Sequence, residues 1–306
     1  MRDFKLILIN ILFLIIFTIK PIEASVETSS FPTLEGSLLN AYNISLSSVS
    51  VLDSEGIFFI NSNPALSSSL KRFSIYISYI PWIFNTRFFI GTTGYKIGKY
   101  TIAGEIVSFS VDNFTALSIN GYEEGSVGMK ENLFKLNFST IILNLNNFFL
   151  ASGINLNYLN SKIYKYSTSF FLIDGGINSK ILLKNKSKIL FSFSLHNISN
   201  NVKYIKDTIK IPLSFIGEAG YKYFLNNYTF YIGVKAEDKN IDTGVEVGLK
   251  NIIYLRGGYN IISENRVFSK FSYGIGIKYF KIQLDYSAKI YLNNNITHLI
   301  SIGYNL

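Results

Sequence analysis

FSYGIGIKY, residues 271–279, alternates one large apolar side chain with one small or polar side chain along its whole length. A period of two is that of a β-strand, in which successive side chains point to opposite faces of the sheet. The stretches at 281–290 (KIQLDYSAKI) and 297–306 (THLISIGYNL) repeat this alternation. One face of these strands is therefore apolar and aromatic, and the other carries glycine, serine and charged residues.

The alternation extends back to residue 71 and predicts about fourteen antiparallel strands. The predicted strands are 71–84, 86–96, 99–111, 131–143, 147–160, 166–182, 187–197, 212–225, 228–237, 241–250, 252–261, 269–279, 281–290 and 297–306. Most approach the roughly 9–11 residues that a tilted strand needs to cross a bilayer. Their number is even, as it is in single-chain bacterial barrels.

The composition leaves two classes of all-β protein, a soluble sandwich or solenoid and a lipid-facing barrel. Of the 306 residues 48% are hydrophobic and only 16% are charged, against about a quarter charged in soluble domains. Beyond the N-terminus no apolar stretch reaches the roughly 18 residues of a transmembrane helix. Small and polar side chains on the second face suit the interior of a closed barrel whose apolar face meets lipid. The sequence thus predicts an all-β, transmembrane antiparallel outer-membrane β-barrel.

The connections between the predicted strands sort by length. Those after odd-numbered strands tend to be long, at 112–130, 198–211, 262–268 and 291–296, although the first, near Asn85, is an exception. Those after even-numbered strands are short, as at Asn226–Asn227. Long extracellular loops that alternate with tight periplasmic turns are typical of outer-membrane barrels, and they place both termini on the periplasmic side.

The first residues have the features of a secretory signal peptide. Arg2 and Lys5 precede an apolar run at 6–19, and Ala24 offers a small residue at its exit. A membrane anchor is the alternative, but a run of 14 residues is shorter than the roughly 20 that span a bilayer. We therefore expect 1–24 to be a cleaved signal peptide of a protein exported to the outer membrane of a Gram-negative-type bacterium.

Residues 25–70, called the hatch segment below, lack the alternation and precede the barrel of residues 71–306. The segment is either a periplasmic tail or a plug inside the barrel. Barrels of about eight strands are already filled by their own side chains, so fourteen strands enclose a wider lumen. An inserted element is therefore expected on physical grounds.

Several motifs resemble the PorV/PorQ family of outer-membrane proteins, relatives of the FadL-type fatty-acid transporters. They are Asp53-Ser54-Glu55-Gly56, Asn63-Pro64-Ala65-Leu66, Leu195-His196-Asn197-Ile198, Ile211-Pro212-Leu213-Ser214-Phe215, Leu255-Arg256-Gly257-Gly258-Tyr259, Leu284-Asp285-Tyr286 and Thr297-His298. The family's Asn-Pro-Ala-Gly ends here in Leu66, and the segment before it is poor in glycine. The resemblance implies a barrel of 14 strands with a hatch that Asn63, Pro64 and Ala65 help to hold in the lumen. Alternatively, Pro64 only fixes the turn into the first strand.

The sequence offers little chemistry for catalysis or for a metal. It has no Cys, and its two histidines, His196 and His298, form no metal-spaced pair. A hydrolytic site needs a nucleophile, a base and an orienting group together, so we expect no enzyme, no cofactor and no metal site. The net charge of +9 is spread along the chain without a basic run, which gives no support for nucleic-acid binding.

Four charged residues on the polar face are candidates for the lumen wall. Glu218, Glu246, Arg256 and Asp285 either shape a permeation path or form ion pairs that fill the interior.

Three functions remain open from the sequence. The first is a transport conduit for hydrophobic or amphipathic small molecules. The second, implied by the resemblance, is a barrel associated with type IX secretion that binds exported proteins. The third is a structural barrel or surface antigen. In each case the expected surroundings are membrane lipid and a lipopolysaccharide-type outer leaflet.

The mature protein is expected to begin within a few residues of Ser25, because the basic start and short apolar run predict cleavage after Ala24. Intact-mass spectrometry of the protein from outer membranes measures this directly. A mature chain that retains Met1 would contradict the prediction.

Overall fold

A computed structural model describes residues 31–36, 40–51, 57–82, 86–117, 119–183, 187–204, 207–238, 240–262, 268–291 and 296–306. The predicted signal peptide and the first residues of the hatch segment lie outside the described residues. No helix in these described ranges is long and apolar enough to cross a membrane.

The described chain begins with short helices and continues as strands. The helices are α1 Pro32–Gly36, α2 Ala41–Ser45 and the 3-10 helix η1 Pro64–Ser69. The strands are β1 Phe73–Pro81, β2 Thr86–Ile97, β3 Tyr100–Leu117, β4 Glu123–Asn144, β5 Phe148–Ile163, β6 Tyr166–Leu182, β7 Lys188–Ile198, β8 Val202–Tyr204, β9 Asp207–Ile209, β10 Ser214–Leu225, β11 Tyr228–Glu237, β12 Asn240–Leu249, β13 Ile253–Ile262, β14 Phe268–Tyr279, β15 Ile282–Tyr291 and β16 Ile296–Asn305.

Fourteen strands, β1–β7 and β10–β16, form a closed antiparallel barrel. Successive strands pair with each other, β7 pairs with β10, and β1 pairs with β16. In the closing pair Ile77 lies opposite Ile302 and Ser78 lies opposite Ser301. The prediction of a closed barrel of about fourteen antiparallel strands is confirmed.

The two rims of the barrel differ, because β3 and β4 extend farther at one of them than the sequence predicts. The rim that carries the start of β1 and the end of β16 is called the terminal end, and the opposite rim the loop end. The predicted loop 112–130 is mostly strand, because β3 continues to Leu117 and β4 begins at Glu123. This ribbon extends past the rim, where both faces are exposed, so it lacks the alternation that marks the barrel strands. The predicted loop 198–211 contains the small hairpin β8–β9.

Burial confirms the assignment of faces. On β16, Ser301 is 1% exposed and points inward, whereas its neighbour Ile302 is 49% exposed and points outward. Similarly exposed aliphatic and aromatic side chains cover the outside of the barrel on every strand pair. A monomeric soluble protein rarely exposes contiguous apolar surface beyond a few hundred Å². This exterior therefore requires an apolar solvent.

Ile302→Arg should lower the stability of the barrel in lipid by about 2–4 kcal/mol, because it places a charge on the lipid face near the bilayer midplane. Urea unfolding in lipid vesicles measures the loss. Phe280→Arg is the control, since Phe280 is 84% exposed in the turn between β14 and β15. Equal losses of stability in the two variants would show that the apolar outer surface around Ile302 does not face lipid.

Candidate functional site

The described part of the hatch segment lies inside the barrel. Its residues at 40–51 and 57–70 are almost all buried. They bond to inward-facing groups on opposite sides of the wall, for example Ala41 N to Ser301 Oγ of β16 at 3.0 Å and Ser67 Oγ to Asn137 Oδ1 of β4 at 2.6 Å. The segment therefore occupies the lumen that the closed sheet encloses.

Four wall glutamates accept hydrogen bonds from neutral donors of the hatch segment. These are Tyr42 Oη to Glu246 at 2.8 Å, Ser50 Oγ to Glu218 at 2.8 Å, Asn61 Nδ2 to Glu105 at 2.6 Å and Thr33 Oγ1 to Glu131 at 2.6 Å. The glutamates stand on β12, β10, β3 and β4, so the anchors surround the segment.

The anchors join neutral groups to carboxylates, because residues 40–51 and 57–70 carry no charged side chain. A hydrogen bond to a charged group contributes about 1.5–3 kcal/mol, and water is a suitable replacement partner for a carboxylate. Residues 40–51 and 57–70 can therefore leave the wall without moving a charge, and the carboxylates that they release line a wettable lumen.

Arg256 organises the most highly charged part of the wall. Its Nε donates to Glu246 at 2.8 Å and its Nη1 to Asp285 at 2.6 Å, and all three side chains are buried. The guanidinium also lies 3.8 Å from the ring centre of Tyr42, a cation–π contact with the hatch segment. Tyr76 of β1 completes the cluster, since its hydroxyl donates to Asp285 at 2.8 Å.

A glycine allows this arginine to reach across a strand. Arg256 stands on β13 and Asp285 on β15, and Gly276 of the intervening β14 lies directly opposite Asp285. A Cβ at Gly276 would come within 2.5 Å of Arg256 Nη2 and 2.7 Å of Asp285 Oδ1. The absent side chain therefore makes room for the ion pair.

The Asn-Pro-Ala motif docks on the inner wall. Asn63 caps η1, since its Oδ1 accepts from Ala65 N at 2.8 Å, and Pro64 stands in the first turn of that helix. The Asn63 amide also donates to Ser192 Oγ of β7 at 2.7 Å. The motif thus precedes β1 and contacts the wall at the same time, and the role of Asn63, Pro64 and Ala65 in holding the segment stays a prediction.

The wall comes close to the motif at β5. An added Cβ on Gly153 would lie 2.5 Å from the Pro64 carbonyl oxygen and 2.6 Å from Ala65 N. The Asn137 amide of β4 donates to the same carbonyl at 3.0 Å. Backbone-to-backbone approach of this kind requires glycine on the wall, and it fixes the depth of η1 in the lumen.

Asp174 and His196 hold the backbone on the same side. His196 Nε2 lies 3.0 Å from the Ser62 carbonyl oxygen and 2.8 Å from Ser194 Oγ, while its Nδ1 faces Asp174 at 3.7 Å. Serine, histidine and aspartate are the residue types of a hydrolase triad. Here, however, the Ser194 hydroxyl donates to the Ser62 carbonyl at 2.8 Å, so the group anchors the hatch segment.

Two apolar clusters share the lumen with this polar wall. Toward the terminal end, hatch residues such as Phe58 and Phe59 pack on Tyr42 and Tyr76. Toward the loop end, wall side chains form the second cluster with Phe31 and with hairpin residues. Its members include Phe88, Phe109, Leu133, Leu159, Leu172, Val202 and Ile211.

All four residues predicted for the lumen wall, Glu218, Glu246, Arg256 and Asp285, are buried, and the last three form one ion-paired cluster. Whether they shape a permeation path stays a prediction.

Sequence reasoning missed four buried wall acids, Glu105, Glu131, Asp174 and Asp242. They occupy inward positions in the alternation of β3, β4, β6 and β12, so the strand register alone would have selected them. Among the described residues no group of three or more His, Asp or Glu side chains is placed to hold a metal.

Comparisons with known proteins show similarity of structure only. No protein-family model matches the chain, and no curated protein matches its sequence. The toluene transporter TbuX of Ralstonia pickettii is 8% identical, with 88% of this chain and 98% of that chain covered at a TM-score of 0.58. The Pseudomonas putida toluene transporter TodX is 10% identical, with 88% and 98% covered and a TM-score of 0.57.

A FadL homologue of Pseudomonas aeruginosa is 7% identical, with 87% of this chain and 98% of that chain covered at a TM-score of 0.52. At these identities the likeness establishes a shared fold. The FadL-like part of the expected fold is therefore confirmed, and membership of the PorV/PorQ family stays a prediction.

Arg256→Met should lower the free energy of unfolding by about 3–5 kcal/mol, because it leaves Glu246 and Asp285 as buried carboxylates without their cation. The triple variant Glu246→Gln, Arg256→Met, Asp285→Asn removes all three charges and should recover most of the loss. Chemical denaturation of the barrel in detergent compares them. A triple variant as unstable as the single one would show that shape, and not charge pairing, is the cause.

Proposed function

We propose that the chain is an outer-membrane β-barrel of PorV/PorQ type that conducts hydrophobic or amphipathic small molecules, with the hatch segment as its gate. The apolar exterior supports placement in a bilayer, since a closed barrel leaves no strand edge unpaired in lipid. The short turns at the terminal end support a periplasmic terminal end and an outward-facing loop end.

The observation that carries the proposal is the apolar cluster in the lumen near the loop end. Water-filled porin lumens are polar, whereas here Phe88, Phe109, Leu133 and Leu159 line the wall. An apolar lining desolvates an apolar solute and offers it about 25 cal/mol for each Å² that it buries. Such a lumen favours hydrophobic or amphipathic solutes over ions and sugars.

Near the loop end, beside the apolar cluster, the hatch segment has the properties of a gate. Its Phe31 lies within the apolar cluster and contacts Phe170 edge to face, with ring centres 4.9 Å apart. Its anchors to the wall are neutral donors on carboxylates, which water can replace. A solute that replaces the apolar contacts of Phe31 would thus weaken the packing that holds the segment in the lumen.

An exported protein as partner is the second candidate, favoured by the ribbon of β3 and β4 beyond the loop-end rim. Phe114, Ile119 and Tyr122 are exposed on this ribbon. Exposed apolar residues beyond the rim mark a surface for another protein. This is the surface that a secretion-associated barrel would use.

A disulfide between the hatch segment and the wall tests the gate. Ser47 Oγ and Ser272 Oγ of β14 are 3.2 Å apart, and the chain has no native Cys. Oxidised Ser47→Cys, Ser272→Cys protein should fail to pass a hydrophobic solute into proteoliposomes, because the segment cannot leave the lumen. Reduction should restore passage.

The control is Ser78→Cys, Ser301→Cys, a pair whose hydroxyl oxygens are 2.7 Å apart on two wall strands. Its oxidation should leave passage unchanged, since it joins wall to wall. If the disulfide between positions 47 and 272 forms and the solute still passes, the proposal that the hatch segment is a gate is wrong. If neither the wild-type barrel nor the reduced Ser47→Cys, Ser272→Cys barrel passes any solute, the protein-binding alternative gains.

A further inference from the structure

A row of outward-facing side chains crosses five neighbouring strands at the loop end. Arg87 of β2 pairs with Ser110 of β3, Ser110 with Lys130 of β4, Lys130 with Lys162 of β5, and Lys162 with Ser167 of β6. Their chain neighbours Phe88, Phe109, Glu131 and Ser161 are buried, so the row points away from the lumen. It holds three cations, two hydroxyls and no carboxylate, and is called the cationic row.

The apolar outer surface of the barrel, called the apolar belt, gives way to the cationic row over two steps of strand register. Toward the terminal end the next row is Phe89, Ser108, Asn132, Asn160 and Ser169, and the one after it is Gly91, Ile106, Phe134, Tyr158 and Phe171. Each step is about 7 Å of strand. From the belt outward the surface therefore changes from apolar to hydroxyl and amide and then to cationic, which is the order of acyl chain, sugar or glycerol, and phosphate in a lipid.

The two lysines of the row stand against each other. Lys130 and Lys162 are direct partners in the register of β4 and β5, and both are exposed. Like charges directly opposite on neighbouring strands are destabilising. Asp112, an acid beside the row, pairs with Arg87 at 2.8 Å. Among the described residues neither lysine forms an ion pair, so a bound anion would offset their repulsion.

A cavity of about 560 Å³ adjoins the row. Arg87, Lys130 and Lys162 line it, together with Asp112, the partner of Arg87, and the polar side chains of Asn113 and Tyr164. At this place β3 departs from its register between Val111 and Phe114. The cavity is an open cleft in which the two lysines and the Arg87–Asp112 pair lie beside hydrogen-bonding groups.

We propose that the cationic row and its cavity bind the phosphate-bearing head of an anionic membrane lipid, which in the outer leaflet is the phosphorylated sugar head of lipid A. Lysine and arginine donate charge-assisted hydrogen bonds to phosphate oxygens. The acyl chains then lie along the apolar belt at Phe134 and Phe171. This rests on the membrane placement proposed above but not on transport or on the gate.

Native mass spectrometry of the folded full-length barrel in neutral detergent tests the site with lipid A, dephosphorylated lipid A and phosphatidylglycerol. Lys130→Gln, Lys162→Gln should weaken lipid A binding about 30-fold, since each basic group near an anionic surface contributes about fivefold. Lys130→Arg, Lys162→Arg should keep it. The matched control is Lys99→Gln, Lys281→Gln, which removes two exposed lysines at the terminal end and should leave binding unchanged.

The possible results distinguish the two candidate lipids from each other and from failure of the proposal. Lysine-dependent binding that prefers lipid A supports the proposal. The same dependence with preference for phosphatidylglycerol would keep a phosphate site at the row but would overturn lipid A as its occupant. Equal binding of dephosphorylated lipid A, or an equal effect of the control pair, would overturn the proposal. Without lipid, Lys130→Gln, Lys162→Gln should be at least as stable as wild type, because the repulsion is gone. A less stable variant would mark the lysines as structural and also overturn it.

Discussion

The structure depends on one constraint, the need to satisfy every backbone N–H and C=O without help from solvent. In an apolar medium only helices and closed sheets meet it, and this chain closes fourteen strands by pairing β1 with β16. Closure fixes the faces, because one side of each strand must meet the outside and the other the lumen. The apolar exterior, the polar wall and the space within follow from that single closure.

The enclosed space explains the hatch segment. A lumen of this width cannot be filled by wall side chains alone. The segment supplies most of one apolar cluster, a few residues such as Phe31 of the other, and a set of neutral donors. The wall in turn supplies the charge, partly satisfied within itself, as in the Arg256 cluster, and partly by hydrogen bonds from Ser50, Asn61 and Tyr42. Strong pairing within the wall and weaker bonds to the segment are what a stable barrel with a removable plug requires.

The sequence predicts what has a local period and misses what depends on contacts across the barrel. Alternation predicted the number of strands, their antiparallel arrangement and the division of each strand into an apolar and a polar face. It ended the third strand near 111, because beyond the rim both faces of the ribbon are exposed and no alternation remains. The grouping of Arg256 with Glu246 and Asp285 arises from strand register, which brings together residues 10 and 29 positions apart only after folding. The hydrogen bonds from Ser50 and Asn61 to the wall could not be predicted, because the hatch segment has no periodic pattern.

The central claim is that the hatch segment is an ordered but separable filling of the lumen. Hydrogen exchange of the folded barrel in nanodiscs tests it at the amides of Ser50, Ala65 and Leu66. The account predicts exchange slower than in the turn at Asn226–Asn227 and faster than in the wall strands, since a gate belongs to the less stable part of a structure. Exchange as fast as in an unfolded peptide would contradict it, because the segment would then be a tail outside the barrel.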